Sequence, residues 1–358
     1  MRWEASLAPV TAPVRLGDAV VLGTSDHLLV SVQEGRQLWA VDHPDRAQAP
    51  PELGPNGQLL VTGKSGTVYK LDQQGQILWQ GLERVDAPAR FTPEGGVLAR
   101  QGKTLTRLKP DGQAQFTFTP PPHPLKEHVL GPFAADRDGS TYVTTGLMLS
   151  EPRWTLVKLD SQGHPVWSKP ISEPSALQVD EQGNAVVGGP RGVQAFRPDA
   201  TVSWSSTTHC SQLLPAPDGG YFVASINEVE RLDPSGQALW SFQAAGDRRL
   251  TTGISGFDMA SAPDGTLALT DLTWNWKEFG GAATLSPDGQ LLELGREGNV
   301  LGVSFEANGN LVVADERGLR AVNPGTQARQ SPLVREEEQW IVVGSSRVRR
   351  RQASPGEN

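Results

Sequence analysis

Residues 271–279 hold the densest group of side chains that could bind a partner. The aromatic and charged members are Trp274, Trp276, Lys277, Glu278 and Phe279. Exposed aromatic rings anchor protein partners or stack on sugars and other planar ligands. In the alternative interpretation, Trp274 and Trp276 extend two long strands and pack on each other. The segment is therefore a candidate binding loop, with both interpretations open.

A proline-rich segment, residues 120–128, contains His123, Glu127 and His128. Its prolines favour a stiff polyproline II conformation, which suits a protruding contact segment. Two imidazoles and a carboxylate are also possible metal ligands, but their spacing matches no known metal motif. We predict that these residues contact a partner or solvent, and we predict no metal site.

Two further candidates are Arg248 with Arg249, and Trp154, the last residue of the insertion at residues 145–154. Paired arginines can clamp a carboxylate or a phosphate in a bidentate manner. Such a pair can also be an ordinary charged loop tip. We count these residues among the candidate partner-binding side chains.

Catalytic motifs are absent from the sequence. Residues 136–140 begin like a calcium loop but lack its later ligands, and Asp-Gly is expected at a hairpin turn. The chain has no nucleophile elbow, phosphate-binding loop or zinc-binding helix motif. We therefore predict no catalytic residues and no cofactor, and we favour a protein that is not an enzyme.

The elements that position these residues are repeats. Leu71–Trp79 returns as Leu159–Trp167 and as Leu232–Trp240, and weaker copies end at Trp39, Phe116, Trp204 and Leu292. The spacing is about 36–52 residues, a period typical of stacked or circular β structures. Each unit contains four short apolar runs separated by Asn-Gly, Asp-Gly or similar turns, which favour antiparallel hairpins.

This pattern predicts an all-β protein that forms a single β-propeller of four-stranded antiparallel blades. Eight blades are favoured and seven are possible. The units start near residues 12, 50, 88, 129, 174, 210, 254 and 300. We assign residues 1–351 to one domain and expect residues 352–358 to be a disordered tail. Residues 1–7 resemble the last strand of a unit, and we expect them to close the ring.

The aromatic residue near the end of each unit is predicted to be structural. It should pack between neighbouring blades, where a buried ring contributes roughly 2–3 kcal/mol. These residues are Trp39, Trp79, Phe116, Trp167, Trp204 and Trp240.

The segment Tyr69–Gly75, followed by Trp79, resembles the repeat of the pyrroloquinoline-quinone (PQQ)-like propellers. That superfamily includes calcium-dependent quinoprotein dehydrogenases and non-catalytic scaffolds, such as a lipoprotein of the outer-membrane β-barrel assembly machinery. The dehydrogenases carry adjacent paired cysteines, whereas Cys210 is the single cysteine of this chain. The resemblance therefore implies a propeller that is more similar to the scaffolds, with WD40-like blades, than to the dehydrogenases.

The strand order predicts that every long insertion lies on one face of the disc. Loops concentrated on one side of a rigid scaffold are where binding residues accumulate. We predict a scaffold that binds a protein partner through this face. The alternative is a small-ligand binder or enzyme of the quinoprotein, hydrolase or lyase type that uses the central channel. In that case calcium or PQQ would be the expected cofactor, and Asp258 would be the first carboxylate to test, ahead of Asp180 and Glu306.

Net charge, the length of apolar runs and the N-terminal sequence limit the classes of partner and the cellular location. The formal net charge of −8 argues against nucleic acid, and no apolar run is long enough to span a membrane. The N-terminus lacks the basic and apolar regions of a signal peptide, so the sequence as it stands predicts a cytoplasmic protein. An exported, processed form stays open. We expect a soluble monomer.

Overall fold

Short strands make up nearly all of the computed structural model. It describes residues 3–5, 7–122, 128–147, 153–225, 228–243, 259–271, 281–295, 300–315, 318–323, 340–343 and 346–349. These residues form 34 strands in eight sheets, with one turn of 3-10 helix at Pro55–Gly57. No helix within these ranges is long and apolar enough to cross a membrane.

The strands follow the chain in blade order. The chain begins with β1 (Trp3–Ala5). Blade 1 contains β2 (Val14–Leu16), β3 (Ala19–Gly23), β4 (Leu28–Gln33) and β5 (Arg36–Asp42). Blade 2 contains β6 (Glu52–Leu53), β7 (Leu59–Thr62), β8 (Val68–Leu71) and β9 (Ile77–Gly81). Blade 3 contains β10 (Arg90–Phe91), β11 (Val97–Gln101), β12 (Thr104–Leu108) and β13 (Ala114–Phe118). Blade 4 contains β14 (His128–Ala135), β15 (Thr141–Leu147), β16 (Arg153–Leu159) and β17 (Pro165–Ile171).

The second half repeats the same order. Blade 5 contains β18 (Ala176–Val179), β19 (Ala185–Gly189), β20 (Gly192–Phe196) and β21 (Val202–Ser206). Blade 6 contains β22 (Gln212–Pro215), β23 (Tyr221–Ala224), β24 (Glu228–Leu232) and β25 (Ala238–Gln243). Blade 7 contains β26 (Met259–Ser261), β27 (Leu267–Asp271), β28 (Gly281–Leu285) and β29 (Leu291–Gly295). Blade 8 contains β30 (Val300–Phe305), β31 (Leu311–Asp315) and β32 (Gly318–Val322). A final hairpin contains β33 (Trp340–Val343) and β34 (Ser346–Arg349).

Strands from the chain ends extend two of the sheets. β1 pairs antiparallel with β32 as the fourth strand of blade 8, with Trp3 opposite Ala321. β34 pairs with the outer edge of β25, so the sheet of blade 6 has six strands. That β1 closes the ring stays a prediction, as do the single-domain assignment and the disordered tail.

The sheets are arranged around a central axis. First strands of successive blades contact one another, for example β14 with β18 and β18 with β22, so the first strands line the centre. Each of the eight hydrophobic clusters combines buried residues of two neighbouring blades. One of them joins Val20 and Leu22 of blade 1 to Val312 and Leu319 of blade 8. The prediction of an all-β propeller with eight four-stranded antiparallel blades is confirmed.

The outer-strand aromatic residues reach across to the next blade. A Cβ on the glycine of that blade's last turn would meet the aromatic ring at 3.1 Å or less. These contacts are Trp39 on Gly75, Trp79 on Gly112, Phe116 on Gly163, Trp204 on Gly236 and Trp240 on Gly289. Trp167 instead donates its indole N–H to the carbonyl of Pro198, at 2.9 Å.

Buried cations on the third strands make a second set of contacts between blades. Lys70 pairs with Trp79 in the sheet register and is only 2% exposed. Its Nζ donates to the carbonyls of Gly95 (2.8 Å) and Pro110 (3.0 Å) in blade 3. Arg107, fully buried, donates to the Gly139 carbonyl (2.6 Å) and the Thr141 hydroxyl (2.7 Å) in blade 4. Each such cation satisfies turn carbonyls that would otherwise be buried without a donor.

The contact between an aromatic ring and a turn can be tested with two alanine substitutions. Gly236 and Gly309 both have a φ of +81°, but a Cβ at Gly236 overlaps Trp204, whereas a Cβ at Gly309 meets nothing within 4 Å. Gly309→Ala should cost about 1 kcal/mol of unfolding free energy, from backbone strain alone. Gly236→Ala should cost about 1–3 kcal/mol more, because the ring must move. Denaturant unfolding measures both, and equal losses would contradict a stabilising ring contact.

Deleting residues 1–7 tests the N-terminal strand. The deletion leaves the edge of β32 unpaired, so we expect a lower Tm and association between molecules. Adding a synthetic peptide of residues 1–7 should restore the Tm in a concentration-dependent way. A deleted protein with an unchanged Tm would show that β1 does not secure the ring.

Candidate functional site

Strand order divides the disc into two faces. Turns between first and second strands and between third and fourth strands lie on one side, which we call the turn face. Connections between second and third strands and between blades lie on the opposite side, the loop face. The four insertions of the sequence fall on the loop face: residues 119–127 join β13 to β14, 148–152 join β15 to β16, 244–258 join β25 to β26, and 272–280 join β27 to β28.

Most of the predicted partner-binding residues lie outside the described residues. They are His123, Glu127, Arg248, Arg249, Trp274, Trp276, Lys277, Glu278 and Phe279. Their place on the loop face therefore follows only from the strands on either side of them.

Trp154 lies within a strand and not in the insertion where the sequence interpretation placed it. It belongs to β16 and pairs with Gly146 of β15. Cβ atoms on Gly146 and Gly131 would meet the indole at 2.9 and 3.0 Å, so the ring packs on two glycines of its own blade. The pairing extends further than expected because the register between β15 and β16 continues to Leu147.

His128 also lies in a strand, as the first residue of β14, half-buried and opposite Leu147. His123 and Glu127, its possible co-ligands, lie outside the described residues. Within the described part of the chain, no group of three or more His, Cys, Asp or Glu could hold a metal ion.

Hydrogen bonds and an ion pair from side chains fix the described loops of blades 1 to 3 in place. Between blades 1 and 2, the carboxylate of Asp45 accepts the backbone N–H of Ser65 at 2.8 Å and its hydroxyl at 2.5 Å. Between blades 2 and 3, Asp86 pairs with Arg100 at 2.6 Å, and Arg100 also donates to the carbonyl of Leu130 at 2.7 Å. These contacts make this part of the loop face a preorganised surface.

His43 is the buried titratable group of the same region. Its ring packs edge-on against Tyr69, with 4.4 Å between centroids, and its Nδ1 lies 2.5 Å from the Asp45 carbonyl. Burial lowers the pKa of His43, although the Asp45 carbonyl and carboxylate act in the opposite direction. Burial therefore favours the neutral imidazole, which serves as part of the packing between blades 1 and 2.

The central channel was the alternative site, and two of its three candidate acids have structural partners. Asp180 accepts N–H groups of Gln182 and Asn184 and so holds a turn. Glu306 is buried and accepts the side-chain amide of Asn310 at 3.0 Å. Asp258 lies outside the described residues.

A different channel pair was missed by the sequence interpretation: Glu52 on β6 and Arg90 on β10, whose Oε2 and Nη1 are 3.5 Å apart. The sequence feature that could have indicated this pair is the presence of one charged residue in the first strand of each of the two blades. Because these residues lie in different blades, only the closed ring brings them together.

Comparisons with known proteins agree with this architecture. The family model described as outer membrane protein assembly factor BamB matches residues 2–114 and 95–263. No curated protein sequence matches the chain.

The solved structures that share the fold include BamB and a WD40 domain. BamB from Moraxella catarrhalis is 14% identical with a TM-score of 0.63, and the alignment covers 88% of this chain and 96% of that one. The C-terminal WD40 domain of Sif2 is 10% identical with a TM-score of 0.63, and the alignment covers 88% and 95%. At these identities the likeness shows the fold alone. The family match extends over more than half of the chain and confirms the PQQ-like repeat, so this protein belongs to the family of the outer membrane protein assembly factor BamB.

Proposed function

We propose that this protein is a non-catalytic propeller scaffold that binds a protein partner through its loop face. The observation that carries the proposal is the asymmetry of the disc. All four long insertions within or between the blades connect strands on the loop face, whereas the turns within the blades on the turn face are short; the longer connection from β32 to β33 leads out of the blades to the final hairpin. Residues on long loops of a rigid frame can vary without disturbing the blades, which is how such scaffolds bind partners.

The partner class follows from the family. Its namesake is named as an assembly factor for outer membrane proteins. We propose that this chain contacts a protein of that assembly process, without a cofactor. Such a partner requires an exported form of the protein, and this proposal therefore departs from the cytoplasmic location that the N-terminal sequence predicts.

The described loops support binding by a preformed surface. The contacts of Asp45 with Ser65 and of Arg100 with Leu130 fix neighbouring loops to the blades. A partner that meets such loops loses little conformational entropy on binding. Lys64 and Arg84 are exposed on this face and offer positions for probes.

Photocrosslinking in the producing cells tests which face binds. A photoreactive amino acid replaces Lys64, Arg84 or Trp274 on the loop face, and Gln74 or Gln182, both exposed on the turn face, as matched controls. We expect the loop-face positions to capture one common protein, identified by mass spectrometry as a component of outer membrane protein assembly. Equal capture from Gln74 and Gln182 would contradict the proposal.

The aromatic loop is tested with the partner found in that way. Trp274→Ala combined with Trp276→Ala should weaken binding at least about tenfold, because aromatic anchors carry most interface energy. The control variant is Gln73→Ala with Gln74→Ala on the turn face. If the double Trp variant lowers the Tm and leaves affinity unchanged, the two rings pack on each other and are not anchors.

A further inference from the structure

The central channel contains a cavity of about 280 Å³. Its walls come from the first strands of blades 2 to 5, namely β6, β10, β14 and β18. The polar wall includes Glu52, Arg90 and Gln178, and the apolar wall includes Phe91, Phe133 and Leu177. A pocket that combines apolar walls with a few convergent polar groups is typical of a small-ligand site.

One oxygen of Glu52 accepts a short hydrogen bond, whereas the other has only a longer contact. Oε1 accepts the backbone N–H of Phe91 at 2.8 Å. Oε2 has a 3.5 Å contact with Nη1 of Arg90, whose side chain is 55% exposed against 26% for Glu52. An ion pair of that length with a solvent-exposed partner is weak. Oε2 therefore keeps most of its capacity to accept a second cationic donor.

Two carboxyl groups at or next to this wall are buried. Burial raises the pKa of Glu52 despite the opposing effects of Arg90 and the Phe91 N–H. Asp136 follows the cavity residue Ala135, and burial together with Asp138 and Asp180 raises its pKa as well. A cation bound beside Glu52 would favour the ionised form of its carboxylate.

The other cations of this region are already committed. Lys70 lies 5.8 Å from the Phe91 ring, but its Nζ donates to two carbonyls. Arg137 pairs with Glu181 at 3.0 Å. Lys158 lies 3.7 Å from Asp138 and over the ring of Tyr142. None of these three contacts involves Glu52.

We propose that the cavity binds an organic cation, an ammonium or guanidinium group on a short apolar stem. The charged group lies beside Oε2 of Glu52, and the stem packs against Phe91, Phe133 and Leu177. The same chemistry is present in a free amine and in the side chain of Lys or Arg of a bound polypeptide. This site does not depend on the loop face.

Phenethylamine and phenylacetate, which share a ring and differ in charge, are the matched probes. Calorimetric titration should detect phenethylamine and not phenylacetate. Glu52→Gln should weaken phenethylamine binding about tenfold. Arg90→Gln should strengthen it, because the competing guanidinium is gone. Phenylacetate binding that is lost in Arg90→Gln would reveal an anion site and overturn the proposal, as would the absence of phenethylamine binding.

A cavity-filling variant separates binding from folding. Gln178→Trp keeps Glu52 and Arg90 but occupies the space, so it should abolish phenethylamine binding with the circular dichroism spectrum unchanged. If Gln178→Trp still binds phenethylamine with wild-type affinity, the amine binds elsewhere and the assignment is wrong.

The peptide acetyl-Gly-Lys-Gly-amide and its Gln counterpart distinguish the two sources of the cation. Tighter binding of the Lys peptide than of phenethylamine would indicate a partner's side chain. Binding of phenethylamine alone would indicate a free amine. Equal binding of the Lys and Gln peptides would show that positive charge is not recognised and would count against the proposal.

Discussion

The structure depends on one contact between blades, in which the outer strand of a blade reaches the last turn of the next. Trp79 and Lys70 of blade 2 illustrate it, because both donate to the same carbonyl, that of Pro110 in blade 3. The indole covers the turn glycine while the ammonium satisfies the carbonyls beneath it. A four-stranded sheet cannot bury both of its faces alone, so this repeated contact turns separate sheets into a ring.

This contact also explains why the two faces differ. The turns that receive the rings and cations lie on the turn face, where an insertion would displace Gly112 from Trp79 or Gly95 from Lys70. The loop face carries no such repeated contact in the described part of the chain. Its connections are held by individual pairs, such as Asp45 with Ser65. Within the blades, long insertions therefore occur on the loop face, where they disturb no contact of this kind.

Sequence reasoning predicted the blades because the repeat is local. The spacing of Trp79, Trp167 and Trp240, with a glycine turn before each, was sufficient for the number and type of blades. The buried cation was not predicted, although the repeat contains it. It precedes the repeat leucine, as in Lys70-Leu71, Lys158-Leu159 and Arg231-Leu232. A charged residue in a strand is normally taken to be exposed. The pairing of Glu52 with Arg90 could not be predicted, since their proximity depends on the closed ring. The position of Trp154 was misjudged because the paired strands β15 and β16 extend beyond the apolar residues that marked them in the sequence.

The net negative charge has a structural origin. Asp72, Asp160 and Asp233 each accept backbone N–H groups two and four residues further on, so in these three blades a carboxylate holds the start of the last turn. These N–H groups lower the pKa of Asp160 and contribute to the lowered pKa of Asp233, which keeps the turns charged. Acids such as Asp180 play the same role in the first turns, next to the strands that line the channel. Among the carboxylates that hold first turns, Asp138 and Asp180 lie next to strands that line the cavity, so the way the turns are built adds to the negative charge with which Glu52 would attract a cation.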